Sequence, residues 1–311
     1  MKKILPVVLL TTATLCWGAN FHFAKVALQE LPPYTVAAFR FGTGFLVLLP
    51  VLLLFEKVNW TLLKRKLPVL LLLGFVGIFC FNFFFFIGMK YTSAANGSLI
   101  MALNPLLTVL LSSLFLGLSM TRLQFTGLFV SLIGVIVIIS QGKLDVLLGL
   151  NFALGDILML GASLSFAIFN LLSRRYAADV SPMLTSAVTM LTTAVLFTII
   201  SGWQGNLLPE VFLSLSWQTW VALLFMGIFA AALGYICWIK GVALIGVNKA
   251  SAYMNLVPFF AMLISATLGI ALTGAQLIGG AVIIFGLLIA SGNLVGADVV
   301  LPFLKRLSTS K

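Results

Sequence analysis

The sequence is poor in acids. Seven Asp and Glu stand in a chain of 311 residues, and charged residues of both signs make up only 8%. A soluble domain carries about 25% charged residues. Hydrophobic residues reach 62%. No soluble core could absorb that excess, so lipid is the solvent for most of the exterior. Histidine is nearly absent: His22 is alone. Cysteine is scarce too. Cys16, Cys80 and Cys237 all lie in apolar runs, without metal-ligand spacing or a disulfide framework, and read as small buried residues. These shortages exclude function classes. An intramembrane enzyme needs paired acids, a metal cluster or a nucleophile–base pair, and the sequence has neither an H-E-x-x-H motif nor an acid at the centre of an apolar run. A channel needs a ring of like charge or a carbonyl filter, and neither is visible. No cofactor and no metal is expected.

What is present is apolar length and basic charge. The net charge is +11, but the basic residues sit in short tracts between apolar runs, as at Lys64-Arg65-Lys66, Arg174-Arg175 and Lys305-Arg306. That is a membrane-topology signal rather than a nucleic-acid patch. A crossing takes roughly 20 apolar residues. Ten stretches qualify: 5–24, 34–54, 67–89, 94–117, 123–140, 153–172, 182–201, 218–239, 248–270 and 275–293. The first follows Met1-Lys2-Lys3, lacks a small-residue cleavage site and reads as a retained helix. Runs such as Val69–Phe75 lack the period-two alternation of a β-barrel. The expected fold is therefore all-α, an integral membrane protein of ten transmembrane helices. With the N-terminus inside, the inner loops hold fourteen of the 18 Lys and Arg, the outer loops hold Lys25, Lys90 and Lys143, and Arg40 lies within a segment. This asymmetry puts both termini in the cytoplasm, with the chain in the inner membrane of the cell.

The third to fifth stretches resemble the eighth to tenth. An offset of 153 pairs Gly74 with Gly227, Gly88 with Gly241, Leu103 with Leu256, Pro105 with Pro258 and Ser112 with Ser265. An offset of 152 then pairs Gln124 with Gln276, Gly127 with Gly279 and Gly134 with Gly286. Five helices are an odd number, so a second copy enters the membrane from the opposite side. Residues 1–145 and 146–311 thus read as two inverted repeats, an arrangement many secondary transporters use for alternating access. Pro105 and Pro258 fall near the centres of the fourth and ninth stretches, where each is expected to break the helix and free a carbonyl. Asn104 and Asn255 flank these breaks. The plainer reading is a pair of packing kinks.

The chain resembles the drug/metabolite transporter superfamily, in its EamA-type family of paired repeats. Its carriers are Trp17-Gly18-Ala19-Asn20-Phe21 with Lys25, then Phe39-Arg40-Phe41, then Tyr91 through Pro105 and Leu123 through Gly134. Segment 1 is faintly echoed from Phe166 through Arg174. The chain departs from the family at Gly117-Leu118 and Gly269-Ile270, where Gly-Glu is usual. The resemblance implies export of amino acids or other small metabolites through a central cavity lined by helices of both halves. Exchange or import of a nucleotide-like metabolite is the alternative. The implied partners are the lipid bilayer and a small-molecule substrate.

Several residues are candidates for the site. Trp17, Asn20, Tyr235, Trp238 and Tyr253 can stack on or hydrogen-bond a substrate, although packing is the commoner role of membrane aromatics. Arg40 lies well inside segment 2, and an intramembrane Arg is a functional candidate by default. Its ordinary alternatives are snorkelling to headgroups or pairing with Glu30. His22 and Lys25 share a helix face, and His22 can carry or sense a proton. Asn96 and Ser98 open segment 4 as Asn248 and Ser251 open segment 9, where they also suit helix caps.

Overall fold

The computed structural model describes residues 4–91, 100–101, 103–118, 120–148, 154–206, 209–269 and 272–291. Among these the regular structure is helical throughout. Helix α1 spans Ile4–Ala27 and α2 Pro33–Phe55. Helix α3 begins as Trp60–Leu72, widens into a π-helical section at Leu73–Phe79, and continues as Cys80–Tyr91. Then come α4 (Asn104–Leu116), α5 (Arg122–Ser140), α6 (Leu154–Tyr176) and α7 (Pro182–Trp203). Helix α8 repeats the pattern of α3: Trp217–Phe225, a π-helical Met226–Leu233, then Gly234–Ile245. Helix α9 is broken into Val247–Ser251, a 3-10 turn Ala252–Asn255, and Leu256–Thr267; α10 is Gly274–Ser291. Eight of these stretches are long and apolar enough to cross a membrane, while Asn104–Leu116 and Gly274–Ala290 are apolar but shorter.

Local chemistry sets the boundaries. Pro33 and Pro182 occupy first-turn positions, where no intrahelical donor is needed. Ser181 and Ser216 cap α7 and α8 with their hydroxyls. Thr121 and Gln124 form a reciprocal capping box at α5, with bonds of 3.0 and 3.2 Å. Thr273 and Gln276 make the same pair at α10, at 3.0 and 3.3 Å. The matched glutamines are thus helix starts. Helix α3 begins before the apolar run expected at 67–89, because its first turns carry Lys64, Arg65 and Lys66 as a polar extension.

The interior is built from small residues and from hydroxyls, several of which bond their own helix. A Cβ on Gly127 would lie 2.3 Å from the Ala290 nitrogen, and one on Gly134 would lie 2.6 Å from the Gly279 carbonyl. Gly286 meets Gly127 in turn, so contacts descend α10 as they ascend α5, and the two helices run antiparallel with backbones touching. Helices α2 and α7 are also paired, with Thr35 donating to Ser201 across 3.3 Å. Helix α1 packs on α8 and α9; α6 packs on α3 and α4. Thr14, Ser112 and Thr193 are buried and return their hydroxyl hydrogens to carbonyls one turn back. Large apolar side chains such as Leu54, Phe55 and Trp203 face outward, the inside-out distribution of a multi-pass membrane protein.

Candidate functional site

Trp17 of α1 is the hub of a buried aromatic cluster. Its ring centroid lies 5.3 Å from Trp238, 5.4 Å from Tyr235 and 5.9 Å from Phe166. Phe41 of α2 and Phe169 of α6 extend the cluster through Tyr235, at 6.2 and 6.3 Å. The indole nitrogen of Trp17 donates to the Ala230 carbonyl at 2.9 Å. Ala230 lies in the π-helical section of α8. Widening the helix there loosens the regular ladder and lets a donor from another helix reach a main-chain acceptor. The π section of α3 is approached alike: the Thr193 hydroxyl, whose hydrogen is shared with the Thr189 carbonyl at 2.8 Å, lies 3.3 Å from the Gly74 carbonyl. Trp238 donates to Asn170 Oδ1 at 2.9 Å, and Asn170 Nδ2 is buried with no partner among the described residues.

Arg40 borders this cluster. It is only 8% exposed, so it does not snorkel. It makes no salt bridge and no hydrogen bond among the described residues, and its Nε is buried without a partner. Its guanidinium carbon lies 5.0 Å from the Phe41 ring centroid. Glu30, the acid within sequence reach, is engaged elsewhere. It accepts from the Ser216 nitrogen at 2.9 Å and from the Ser216 hydroxyl, and these bonds hold its carboxyl below the usual carboxylate range.

His22 Nε2 faces the Ala261 carbonyl at 2.9 Å and Ser265 Oγ at 3.4 Å, tying α1 to α9. Lys25 is exposed at the end of α1. Asn20 keeps a buried Oδ1 without a partner among the described residues. Tyr253 is buried in the 3-10 turn of α9 and makes no ring contact among the described residues.

The breaks take a form different from the expected one. Pro105 and Pro258 stand in the first turns of α4 and of the last section of α9, positions whose N–H has no helical acceptor in any case. The irregularity comes just before each proline, as a tightened turn. Leu103 N bonds Ile100 O at 3.1 Å, and Leu256 N bonds Tyr253 O. Asn104 and Asn255 direct their amides at neighbouring helices, Asn104 to the Ser163 carbonyl and Asn255 to Ser131 Oγ, both at 2.7 Å. Ser251 bonds back to the Asn248 carbonyl; Asn96 and Ser98 lie outside the described residues. Gly117 and Gly269 both have positive φ, which explains why the glycine stands at each position though the acid after it does not. Sequence reading missed Phe41, Phe166, Phe169 and Asn170 as members of the cluster. An offset of 149 was the available signal: it pairs Trp17 with Phe166 and Lys25 with Arg174.

The comparisons with known proteins agree with this architecture. A model of the EamA-like transporter family matches residues 4–140 and again 153–292. The chain is 36% identical over 292 residues to the uncharacterized transporter YyaM of Bacillus subtilis (strain 168), covering 94% of this chain and 95% of that one. It is 28% identical over 285 residues to a probable amino-acid metabolite efflux pump of Salmonella typhimurium, covering 88% and 90%. One solved crystal structure shares the fold with a TM-score of 0.75 at 23% identity, over 92% of this chain and 98% of the other.

Proposed function

The chain belongs to the EamA-like transporter family, and from that premise we propose that it is a secondary transporter of small polar metabolites, working by alternating access between two inverted five-helix halves. The halves are residues 1–145 and 146–311, each crossing the membrane five times, with both termini in the cytoplasm.

One observation carries this reading: contacts come in pairs exchanged by the repeat. Gly74 packs on Thr192, and Gly227 packs on Thr43. Gly88 packs on Met159, and Gly241 packs on Leu10. Gly127 meets Gly286, and Gly134 meets Gly279. In each case, shifting one contact by the offsets 149, 152 or 153 generates the other. Because α5 and α10 are antiparallel, the axis that exchanges them lies across the helices and therefore in the membrane plane, the relation needed for one site to open to either side. The two π sections and the two tightened turns supply matched points where helices can bend.

The substrate class is amino acids or related compounds, in the direction of export. The support is the name of the Salmonella relative and a site in which buried polar groups meet an aromatic cluster. The test is counterflow in proteoliposomes loaded with candidate metabolites. Saturable, trans-stimulated exchange is expected. Unsaturable conductance or product formation would remove the proposal.

A further inference from the structure

We propose that Arg40 anchors the carboxylate of the substrate, and that the aromatic cluster around Trp17 and Tyr235 receives the apolar or aromatic body of the same molecule. This rests on the transporter reading. Arginine stays charged in proteins and carries five donors in a fork that matches a carboxylate. A charge in a membrane interior is expected to be paired. Arg40 is nine-tenths buried, yet no carboxylate lies within salt-bridge distance of it among the described residues. Glu30 is held by Ser216, and Asp179 by Lys66 at 2.8 Å. The Phe41 ring at 5.0 Å offers only the attraction of an aromatic face. Arg40 Nε is unbonded, so the fork still has capacity for a ligand.

The backbone at Arg40 is fixed. A Cβ on Gly227 would meet the Arg40 carbonyl at 3.2 Å, which seats α2 directly on the π section of α8. The next residue, Phe41, touches Tyr235, and Tyr235 touches Trp17. The cation thus adjoins the aromatic cluster, with α1, α2 and α8 each contributing a side chain. The complement of this arrangement is an organic acid with an apolar or aromatic body, either a simple acid or the zwitterion of an α-amino acid.

The experiment uses the full-length purified protein and four probes: 3-phenylpropionate, its neutral amide 3-phenylpropanamide, L-phenylalanine and 2-phenylethylamine. Thermal stabilisation gives the affinities, since a ligand of the folded state raises its stability by mass action. The acid or the amino acid is expected to bind, and the amide and the amine to bind about tenfold or more weakly. Arg40→Gln should lose a similar factor for the carboxylate probes, with Arg40→Lys between it and the parent. Binding of L-phenylalanine without 3-phenylpropionate keeps the anchor and adds a need for the ammonium group; the reverse keeps the anchor and assigns simple acids. Equal binding of acid and amide by the parent, which needs no variant to fold, overturns the anchor. So does failure of both carboxylate probes to bind the folded parent. Counterflow separates the two readings. Saturable flux of carboxylate-free solutes that survives Arg40→Gln sinks the anchor and leaves transport standing. Arg40-dependent binding without saturable flux of any solute does the opposite.

Discussion

The two halves use the same scaffold and different chemistry. Where the repeat places a helix contact, both copies keep it: Gly74 against Thr192 and Gly227 against Thr43, or Gly88 against Met159 and Gly241 against Leu10. Along α1 and α2 and in the aromatic cluster, the copies part. Under the offset 149, Asn20, His22 and Arg40 correspond to Phe169, Leu171 and Thr189. Under 153, Tyr235 and Trp238 correspond to Asn82 and Phe85. Close helix approach is a requirement each half must meet separately, so glycines recur. A substrate is not symmetric, and the groups that meet it need exist only once.

The scaffold side of this comparison should break hardest. Gly127→Leu and its copy Gly279→Leu both drive a side chain into backbone, 2.3 Å from Ala290 N and 2.7 Å from Gly134 O at the Cβ alone. Overpacking costs about 1–3 kcal/mol where side chains can yield. Backbone cannot yield as side chains do, so both variants should lose folded yield on size-exclusion chromatography, and to a similar degree. A tolerated substitution in one half alone would break the equivalence.

The site side should respond in one half only. Thr189→Val, at the counterpart of Arg40, should leave flux within about twofold, since its hydroxyl bonds its own helix at Ser186, whereas Arg40→Gln should cost about tenfold or more. Equal losses would make Arg40 a packing residue. Trp17→Phe restores the aromatic type found at its counterpart Phe166 and deletes the bond to Ala230. Stability should fall by about 1–3 kcal/mol, read from the melting midpoint. His22→Gln keeps a donor for the Ala261 carbonyl but cannot titrate. If His22 carries the coupling proton, flux in this variant will no longer respond to an imposed pH gradient; an unchanged response excludes that role.

The smallest effects belong to the acids in the matched connections. Glu30 holds Ser216, and Asp179, its counterpart, holds Lys66 and Arg65. The hydrogen bond from Lys66, with the nearby cations, keeps the Asp179 carboxyl below its usual range, as Ser216 does for Glu30. A lowered carboxylate stabilises the fold above its ordinary range, and that contribution disappears as pH falls through the lowered value. Glu30→Gln and Asp179→Asn should therefore melt slightly below the parent at neutral pH and converge with it in acid. High salt should shrink the Asp179 difference, which rests on charge, and spare the Glu30 difference, which rests on a neutral hydroxyl.

Much of the helix layout was legible because lipid demands long apolar runs and allows no open backbone within them. The matched Gly and Gln positions were legible as a pattern, and the structure supplied their reasons: backbone contact at Gly127 and Gly286, capping boxes at Gln124 and Gln276. The form of the breaks was not. Proline announced an interruption, but whether it falls before or after the residue depends on where the helix restarts. The π sections were equally hidden, since Leu73–Phe79 and Met226–Leu233 read as ordinary apolar helix.

The sequence by itself determined that the chain is a helical membrane protein with a repeated pattern, because hydropathy and periodicity act locally along the chain. Tertiary structure alone decided that Trp17, Phe166, Tyr235 and Trp238 form one cluster, that Glu30 bonds Ser216 instead of Arg40, and that Asn104 and Asn255 brace neighbouring helices. Which group meets which depends on how rods from distant parts of the chain rotate and slide into contact, and that is settled by packing of whole faces, not by the neighbours of any one residue.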